Sequence, residues 1–371
     1  MDKDKYLSSV LEYVNLISLY LKKIKDKSVV VDETKFKLFL KLSDCHSLKT
    51  VYLKSLGMVS IDFDKDLLSD LENCYILNVA KVLSFDKERA DLYHFLNQNN
   101  VDFLPLKGIL LKDYYPEPYV REFADNDILF NGSKNKLVRD FFIKKNYEIR
   151  EFNKSNHDAY IKKPFYNFEM HRSLFNCSDR NKEFNAYFKD YLIKSPVKEN
   201  HEHESSKEDF YIYFTAHAYN HFRDAGCGIR TLVDYYVYLK KEQLDFNYIN
   251  KELKKLDLLD FSNKISSLSI KLFDEEPLNK EEEKMLLYIA SSGTYGTIEH
   301  SVAKGIKEKG RFRYFMQRVF PPYRFYKTAY PWAYYCPILI PIAWLARFFR
   351  IIFKNPKKAK KELDYIGKSK E

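Results

Sequence analysis

At 371 residues with 45% hydrophobic content, the chain can bury a substantial core in two or three lobes, which excludes a disordered protein. Ten glycines argue against a repetitive glycine-rich β architecture, and the five cysteines, scattered without Cys-x-x-Cys spacing, read as reduced thiols of a cytosolic protein, not a disulfide framework. A net charge of +10 suits phosphate-bearing partners but does not choose between a nucleotide, a nucleic acid and anionic lipid.

The first 25 residues have no basic segment ahead of a continuous apolar run. Their apolar residues recur at helical spacing instead, so no secretion signal is expected. Amphipathic helices are predicted over 6–23, 33–42, 66–83 and 89–97. A short apolar strand over 101–106 then turns at Lys107-Gly108 into a helix carrying Leu110, Leu111 and Tyr114. A helix start leaves unpaired N–H groups that favour an anion, and Lys107 adds positive charge beside them.

Asp125-Asn126-Asp127 follows, leading into the apolar run Ile128-Leu129-Phe130. Side chains of a strand alternate, so Asp125 and Asp127 emerge on one face while Ala124, Asn126 and Ile128 take the other. Two carboxylates on one face can share a hard divalent cation under a triphosphate. Asn126 stands where an apolar side chain is expected, and a buried amide costs roughly 1–3 kcal/mol unless it is hydrogen-bonded. A hairpin comes next, with strands over 159–161 and 166–171 turning at Lys163-Pro164. Glu169 and His171 share a face of its second strand, and an acid that interrupts an apolar strand needs a partner such as a metal.

Other residues admit two readings. Arg121 either clamps a phosphate or pairs with Asp125 or Glu122. His171 orients Glu169 or an acceptor, or is a hydrogen-bonded structural histidine. The polar stretch 185–206, with His201-Glu202-His203-Glu204, reads as a solvated linker and not a metal site. Helices return from Lys207, interrupted at Gly226-Cys227-Gly228 and Gly293. On a predicted helix over 210–222, His217 and His221 lie four apart and share a face that lines a cleft or, without an HExxH pattern, holds a metal. Asp234 reads as a capping or ion-pairing acid.

From Thr328 to Ala346 there is no charged residue, and Arg347, Arg350, Lys354, Lys357 and Lys358 follow. That length just suffices to cross a bilayer, but Pro331, Pro337 and Pro341 interrupt it. The segment therefore either packs on the catalytic lobe through 337–341, lies on a membrane surface through 328–358 with its basic residues at lipid headgroups, or spans.

Taken in order, Lys107-Gly108-x-x-Leu111, Tyr114-Tyr115-Pro116, Arg121, Asp125-x-Asp127-Ile128-Leu129 and Glu169-x-His171 resemble the uncharacterised bacterial nucleotidyltransferase family of the polymerase-β-type superfamily. The resemblance covers the middle of the chain well and the flanks loosely. It implies an α+β fold: a small mixed sheet with helices on one face, embedded between largely helical N- and C-terminal lobes. It also implies two Mg²⁺ (or Mn²⁺) ions and transfer of a nucleoside monophosphate from an NTP to a hydroxyl-bearing acceptor. Under the resemblance, Asp125, Asp127 and Glu169 bind metal, Glu169 helps deprotonate the acceptor, and Lys107 and Gly108 contact phosphates. Asp234 resembles a helical acid of the family. A link to surface polysaccharide metabolism is suggested too, which fits a cytoplasmic protein at the inner membrane face.

The expected layout is a helical lobe over 1–98, a catalytic core over 99–176, a second helical lobe over 177–327 and a tail over 328–371, with the cleft where the lobes meet. Two further functions stay open. One is a nucleotide-binding or membrane-attached accessory protein that has lost turnover, which Asn126 supports best. The other is an antibiotic- or protein-modifying transferase, distinguished only by its acceptor. No RNP, zinc-finger or helix-turn-helix signature points to nucleic acid.

Overall fold

The computed structural model describes residues 3–224, 226–294, 302, 305–307 and 309–354. They fall into two compact units, one of Met1–Asn220 with Cys227–Thr294 and one of His221–Gly226 with Tyr295–Glu371.

The first unit opens with α1 (Lys3–Leu21), β1 (Val30–Asp32), α2 (Glu33–His46), α3 (Lys49–Leu56), β2 (Ser60–Asp62) and α4 (Ser69–Gln98). The Asp32 carboxylate accepts the Lys35 N–H at 2.8 Å and so starts α2, while Ser47, at φ 52°, ends it. Two helices expected over 66–83 and 89–97 are one. Residues 84–88 contain neither Gly nor Pro, and Phe85 turns into the core, so nothing breaks the ladder. Helix α3 and the parallel β1–β2 pair are not expected from the sequence, since each is too short to show a period.

The middle of the chain supplies β3 (Phe103–Pro105), α5 (Gly108–Leu111), β4 (Asn126–Phe130), α6 (Asn135–Lys144), β5 (Glu148–Glu151), β6 (His157–Lys162), β7 (Tyr166–His171), α7 (Lys182–Tyr187), α8 (Tyr191–Lys194), β8 (Val197–Glu199) and β9 (Glu202–His203). The strands form one mixed sheet in the order β5-β6-β7-β4-β3-β9-β8. Central β4 runs antiparallel to β3 and parallel to β7, and the β6–β7 hairpin turns at a cis Lys163–Pro164 bond. One face of the sheet, with Ile128, Phe130, Tyr160, Phe168 and Met170, packs on Leu92 and Leu96 of α4 and on Val138 and Phe142 of α6. The Phe142 and Tyr160 rings stack at 4.2 Å. Strand alternation therefore leaves Asp127, Glu169 and His171 on the opposite face.

The stretch expected as a solvated linker is instead structured. β9 pairs with β3, His201 Nδ1 lies 2.7 Å from Asp102 Oδ1, and buried His203 donates from Nδ1 to Ser195 O at 2.7 Å. The edge of β3 has backbone groups to satisfy, and this segment satisfies them.

Helices complete the unit: α9 (Lys207–Asp224, whose last turn belongs to the second unit), α10 (Ile229–Lys241), α11 (Phe246–Lys255), α12 (Leu259–Asp274) and α13 (Lys280–Ser292). Asn279 and Glu282 form a capping box that starts α13. The Ser18 hydroxyl donates to Phe273 O at 2.6 Å and Tyr6 donates to Ala290 O at 2.9 Å, so α1 is tied to α12 and α13. The fold is α+β, with helical lobes around a small mixed sheet core.

One joint in this helical packing is sensitive to pH. Fully buried His46 accepts the Ile229 N–H at Nδ1 (3.2 Å) and donates from Nε2 to Ala290 O (3.1 Å), an arrangement that fits only the neutral ring. Burial pulls its pKa down to about 4. The unfolded chain, with an ordinary histidine near 6.5, takes up the proton first as pH falls. Stability is thus full above about pH 6.5 and declines toward pH 4, by roughly 3 kcal/mol. Urea unfolding at several pH values should show this loss in the parent and a shallower one in His46→Gln, which keeps a donor and an acceptor without titrating. Equal slopes would remove His46 as the cause.

The second unit, taken by itself, contains α14 (Arg311–Val319), α15 (Tyr323–Ala329), α16 (Pro331–Tyr335) and α17 (Ile340–Lys354). Tyr326, Ala333 and Ala343 form a small core with Tyr330, Tyr334, Leu339 and Ile340 around it. Among the described residues no helix is long and apolar enough to cross a membrane, so the spanning reading of the tail is not met there. Lys357 and Lys358 lie outside the described residues.

Candidate functional site

The register of β4 and β7 sets Asp127 directly opposite Glu169, and Asp125 immediately precedes β4. Carboxylate oxygens of Asp125, Asp127 and Glu169 all lie within 4.8 Å of one another. The sequence expectation that these three acids converge is met in the geometry. Such a set, drawn from adjacent strands with two of its members half-buried and open, fits a hard divalent cation.

The electrostatics follow from the crowding. Burial first, then Asp127, raises the Asp125 carboxyl above the usual carboxylate range. Burial, with Asp127 and Asp125, pushes Glu169 up to about 7. Asp127 goes the other way. Burial opposes its charge, but the Lys107 ammonium and a hydrogen bond from His171 hold it well below the usual range.

Lys107 carries out its part from a strained backbone. Its φ of 40° lies in the region that favours glycine, at the joint between β3 and α5, and its ammonium reaches Asp127 Oδ2 at 3.2 Å. Burial would lower its pKa, yet Asp127, Asp125 and Glu169 together hold it above its ordinary value. The structure therefore places the expected phosphate contact on an acid of the site. Gly108 follows, where an added Cβ would meet Arg121 Nη1 at 2.9 Å and Phe123 Cβ at 3.4 Å, so a glycine is needed for Arg121 to lie there.

Arg121 pairs with neither Asp125 nor Glu122, the partners considered from sequence. Its Nε and Nη2 donate to Asp234 Oδ1 and Oδ2, both at 2.8 Å, and the Tyr115 hydroxyl donates to the same Oδ1 at 2.7 Å. The remaining Nη1 is buried without a hydrogen-bond partner. Asp234 is thus the ion-pairing acid of the expectation, on α10.

His171 donates from Nε2 to Asp127 Oδ1 at 2.8 Å, while its Nδ1 faces the Asn156 amide at 3.4 Å. It is hydrogen-bonded and orients an acid of the site, although the acid is Asp127 and not Glu169. His217, on α9, lies near enough to Asp127 to help hold it ionised. His221 is exposed at the end of that helix, and among the described residues neither histidine joins a group of three metal-binding side chains.

Asn126 resolves without strain. It lies on the core face, where Arg89 of α4 donates to its Oδ1 and its own Nδ2 donates to Asn167 O at 3.3 Å. Arg89 in turn pairs with Asp86, and Asp86 with Lys112 at 3.2 Å. The amide is the buried inner end of a polar chain that runs out to half-exposed Asp86, which is why an apolar residue is not needed there.

Sequence reasoning misses four residues of this region. Arg89 has no sequence signal. His157 does: pairing the hairpin outward from Lys163-Pro164 sets it opposite His171. Arg230, which donates to Glu122 O at 2.7 Å, lies close enough to Asp125 to favour its charge. Tyr213 of α9 has a buried hydroxyl without a hydrogen-bond partner, and burial, then Asp127, Asp125 and Glu169, raises its pKa well above the ordinary value.

Among known proteins, a family model described as an uncharacterised nucleotidyltransferase matches residues 32–274, well over half of the chain. No curated protein and no solved structure matches. The matched span takes in the β3–α5 turn, the acids of β4 and β7 and the Arg121–Asp234 pair, and by it the chain belongs to the uncharacterised nucleotidyltransferase family.

Proposed function

We propose that the protein transfers a nucleoside monophosphate from an NTP to a hydroxyl-bearing acceptor, with Mg²⁺ or Mn²⁺ held by Asp125, Asp127 and Glu169. The observation that carries this is the convergence of the three carboxylates on one sheet face within 4.8 Å. When bound there, a divalent cation supplies charge neutralisation at the phosphates and at the attacking and leaving oxygens. The residues of the chain do the rest. Glu169, half-buried at the edge of the acid set, takes the acceptor's hydroxyl proton as that oxygen bonds to the α-phosphorus and the bond to pyrophosphate breaks. Arg121 offers its unpaired Nη1, and Arg230 and Lys107 add positive charge, for the phosphates. Lys107, with the hydrogen bond from His171, keeps Asp127 ionised.

Asn126 gives no support to a protein that has lost turnover, because it faces the core and is satisfied by Arg89. The test is incubation of the purified protein with each labelled NTP, Mg²⁺ or Mn²⁺ and cell extract as the source of acceptor. Transfer of label or release of pyrophosphate is expected. Nucleotide retained without either would leave only the accessory reading. The molecule that becomes labelled separates a polysaccharide precursor from an antibiotic or protein acceptor.

The reading extends to peripheral membrane contact. From Thr328 to Lys354 the sequence has no Asp or Glu, and the second unit exposes Trp332, Tyr335, Ile338, Phe348 and Phe349 along with Arg350. Apolar side chains among cations suit an anionic bilayer surface at the inner face of the membrane. The full-length protein should float with vesicles containing phosphatidylglycerol, and a chain ending after Lys327 should stay at the bottom of the gradient. Equal flotation of both would end the membrane reading.

A further inference from the structure

Beside the acid triplet lies a second group of ligands of different chemistry. His157 on β6 is paired in register with His171 on β7, and their rings lie 5.1 Å apart between centroids. Both imidazole Nε2 atoms lie 3.7 Å from the same atom, Glu169 Oε2. That is too long for a hydrogen bond. It is close to the separation of neighbouring ligand atoms around a tetrahedral ion bonded at about 2.0–2.2 Å, which is about 3.3–3.6 Å. The ligand atoms of His157, Glu169 and His171 all fall within 4.8 Å of one another.

We infer that His157, Glu169 and His171 form a second, nitrogen-bearing cation site, which takes a first-row transition-metal dication such as Zn²⁺ or Co²⁺ in preference to Mg²⁺. Imidazole nitrogens suit such ions, whereas Mg²⁺ is served by the oxygen-only set next to it. His171 is buried and fixed, while His157 and Glu169 are half-buried, so the set has a rigid base and an open side. An outer partner is present as well. Asn156, which also donates to Ser173 O at 3.0 Å, faces His171 Nδ1 and holds the ring with Nε2 toward the cluster. Coordination through Nε2 moves the ring proton to Nδ1, where the Asn156 amide, turned to present its oxygen, accepts its hydrogen bond at the cost of the amide's bond to Ser173 O. The hydrogen bond from His171 to Asp127 Oδ1 is given up in exchange, and Asp127 keeps Lys107 on its other oxygen.

Glu169 belongs to both sets, so the site adjoins the proposed transferase centre, but it stands on its own geometry and does not require that transfer occur. The test uses tag-free, metal-stripped, full-length protein titrated with Co²⁺ in millimolar Mg²⁺, followed by visible absorption, with Zn²⁺ as competitor. One equivalent is expected to bind with the absorption of a nitrogen-ligated ion. His157→Gln should weaken it by at least about tenfold, and Asp125→Asn, which disables the oxygen set, should leave it within about twofold. X-ray absorption of the Zn²⁺-loaded parent should show two imidazole ligands, a result that does not depend on any variant folding. Loss of Co²⁺ binding in Asp125→Asn, undiminished binding in His157→Gln, or fewer than two imidazoles on zinc would each overturn the inference. Label transfer is read separately, so a silent transferase assay with Co²⁺ binding intact would count against the activity and not against this site.

Discussion

Asp127→Asn is expected to lower label transfer by at least about a hundredfold while the protein stays folded. The amide keeps the shape of the side chain and an oxygen that can still accept from His171, whose Nε2 lies 2.8 Å from Asp127 Oδ1 in the parent. What it loses is the charge opposite Lys107, at 3.2 Å, and one of three anionic donors for a divalent cation. Stability should change little, because two effects oppose each other. Lys107 loses its ion pair, which is destabilising. Asp125 and Glu169, each raised in pKa partly by the Asp127 charge, lose a like-charged neighbour, which is stabilising. Urea unfolding and the transfer assay on the same preparation separate the two. A variant that folds and still transfers label within a few-fold of the parent would show that Asp127 is not part of the chemistry.

What the sequence makes legible divides along range of interaction. The period of the strands is local and sets Asp125 with Asp127, and Glu169 with His171, on one face of each strand, but the parallel β4–β7 pairing that brings the two pairs together is long-range and is implied only by the family resemblance. Even His157 is within reach, since the hairpin register fixes its partner once the turn at Lys163-Pro164 is placed. Arg121 and Asp234 lie 113 residues apart, and no local pattern says that they pair. The same is true of Arg89, whose hydrogen bond turns Asn126 from an apparent misfit into a satisfied core residue. Short elements escape for another reason. β8 and β9 exist because β3 has an edge to pair, a demand of the assembled sheet that a polar stretch such as 197–203 does not display in its own composition. In α4 the reverse holds: the largely polar interval 84–88 looks like a break between two helices although it holds no helix breaker.

The largest effect on stability is expected at the Arg121–Asp234 pair. Its members are 5% and 4% exposed, and the pairing is bidentate, so Asp234→Ala leaves a guanidinium buried without its counter-charge and the Tyr115 hydroxyl without its acceptor. A loss of roughly 3–5 kcal/mol is expected, seen as a lower urea midpoint. Most of that is the penalty of the stranded charge and not the worth of the pair. Removing both charges as Arg121→Met with Asp234→Leu should therefore recover much of the loss, with a remainder of roughly 1–3 kcal/mol for the unpaired Tyr115 hydroxyl. Transfer should not recover with stability, because the double variant also lacks the free Nη1 beside Gly108 that the proposed function assigns to phosphate. A raised KM for NTP in a well-folded double variant fits that role. If the double variant regains both stability and an unchanged KM, Arg121 serves only to join α10 to the β4 approach, and the phosphates are held by other cations. If Asp234→Ala costs under about 1 kcal/mol, water reaches the pair and a stranded buried charge is not what ties α10 to the approach to β4.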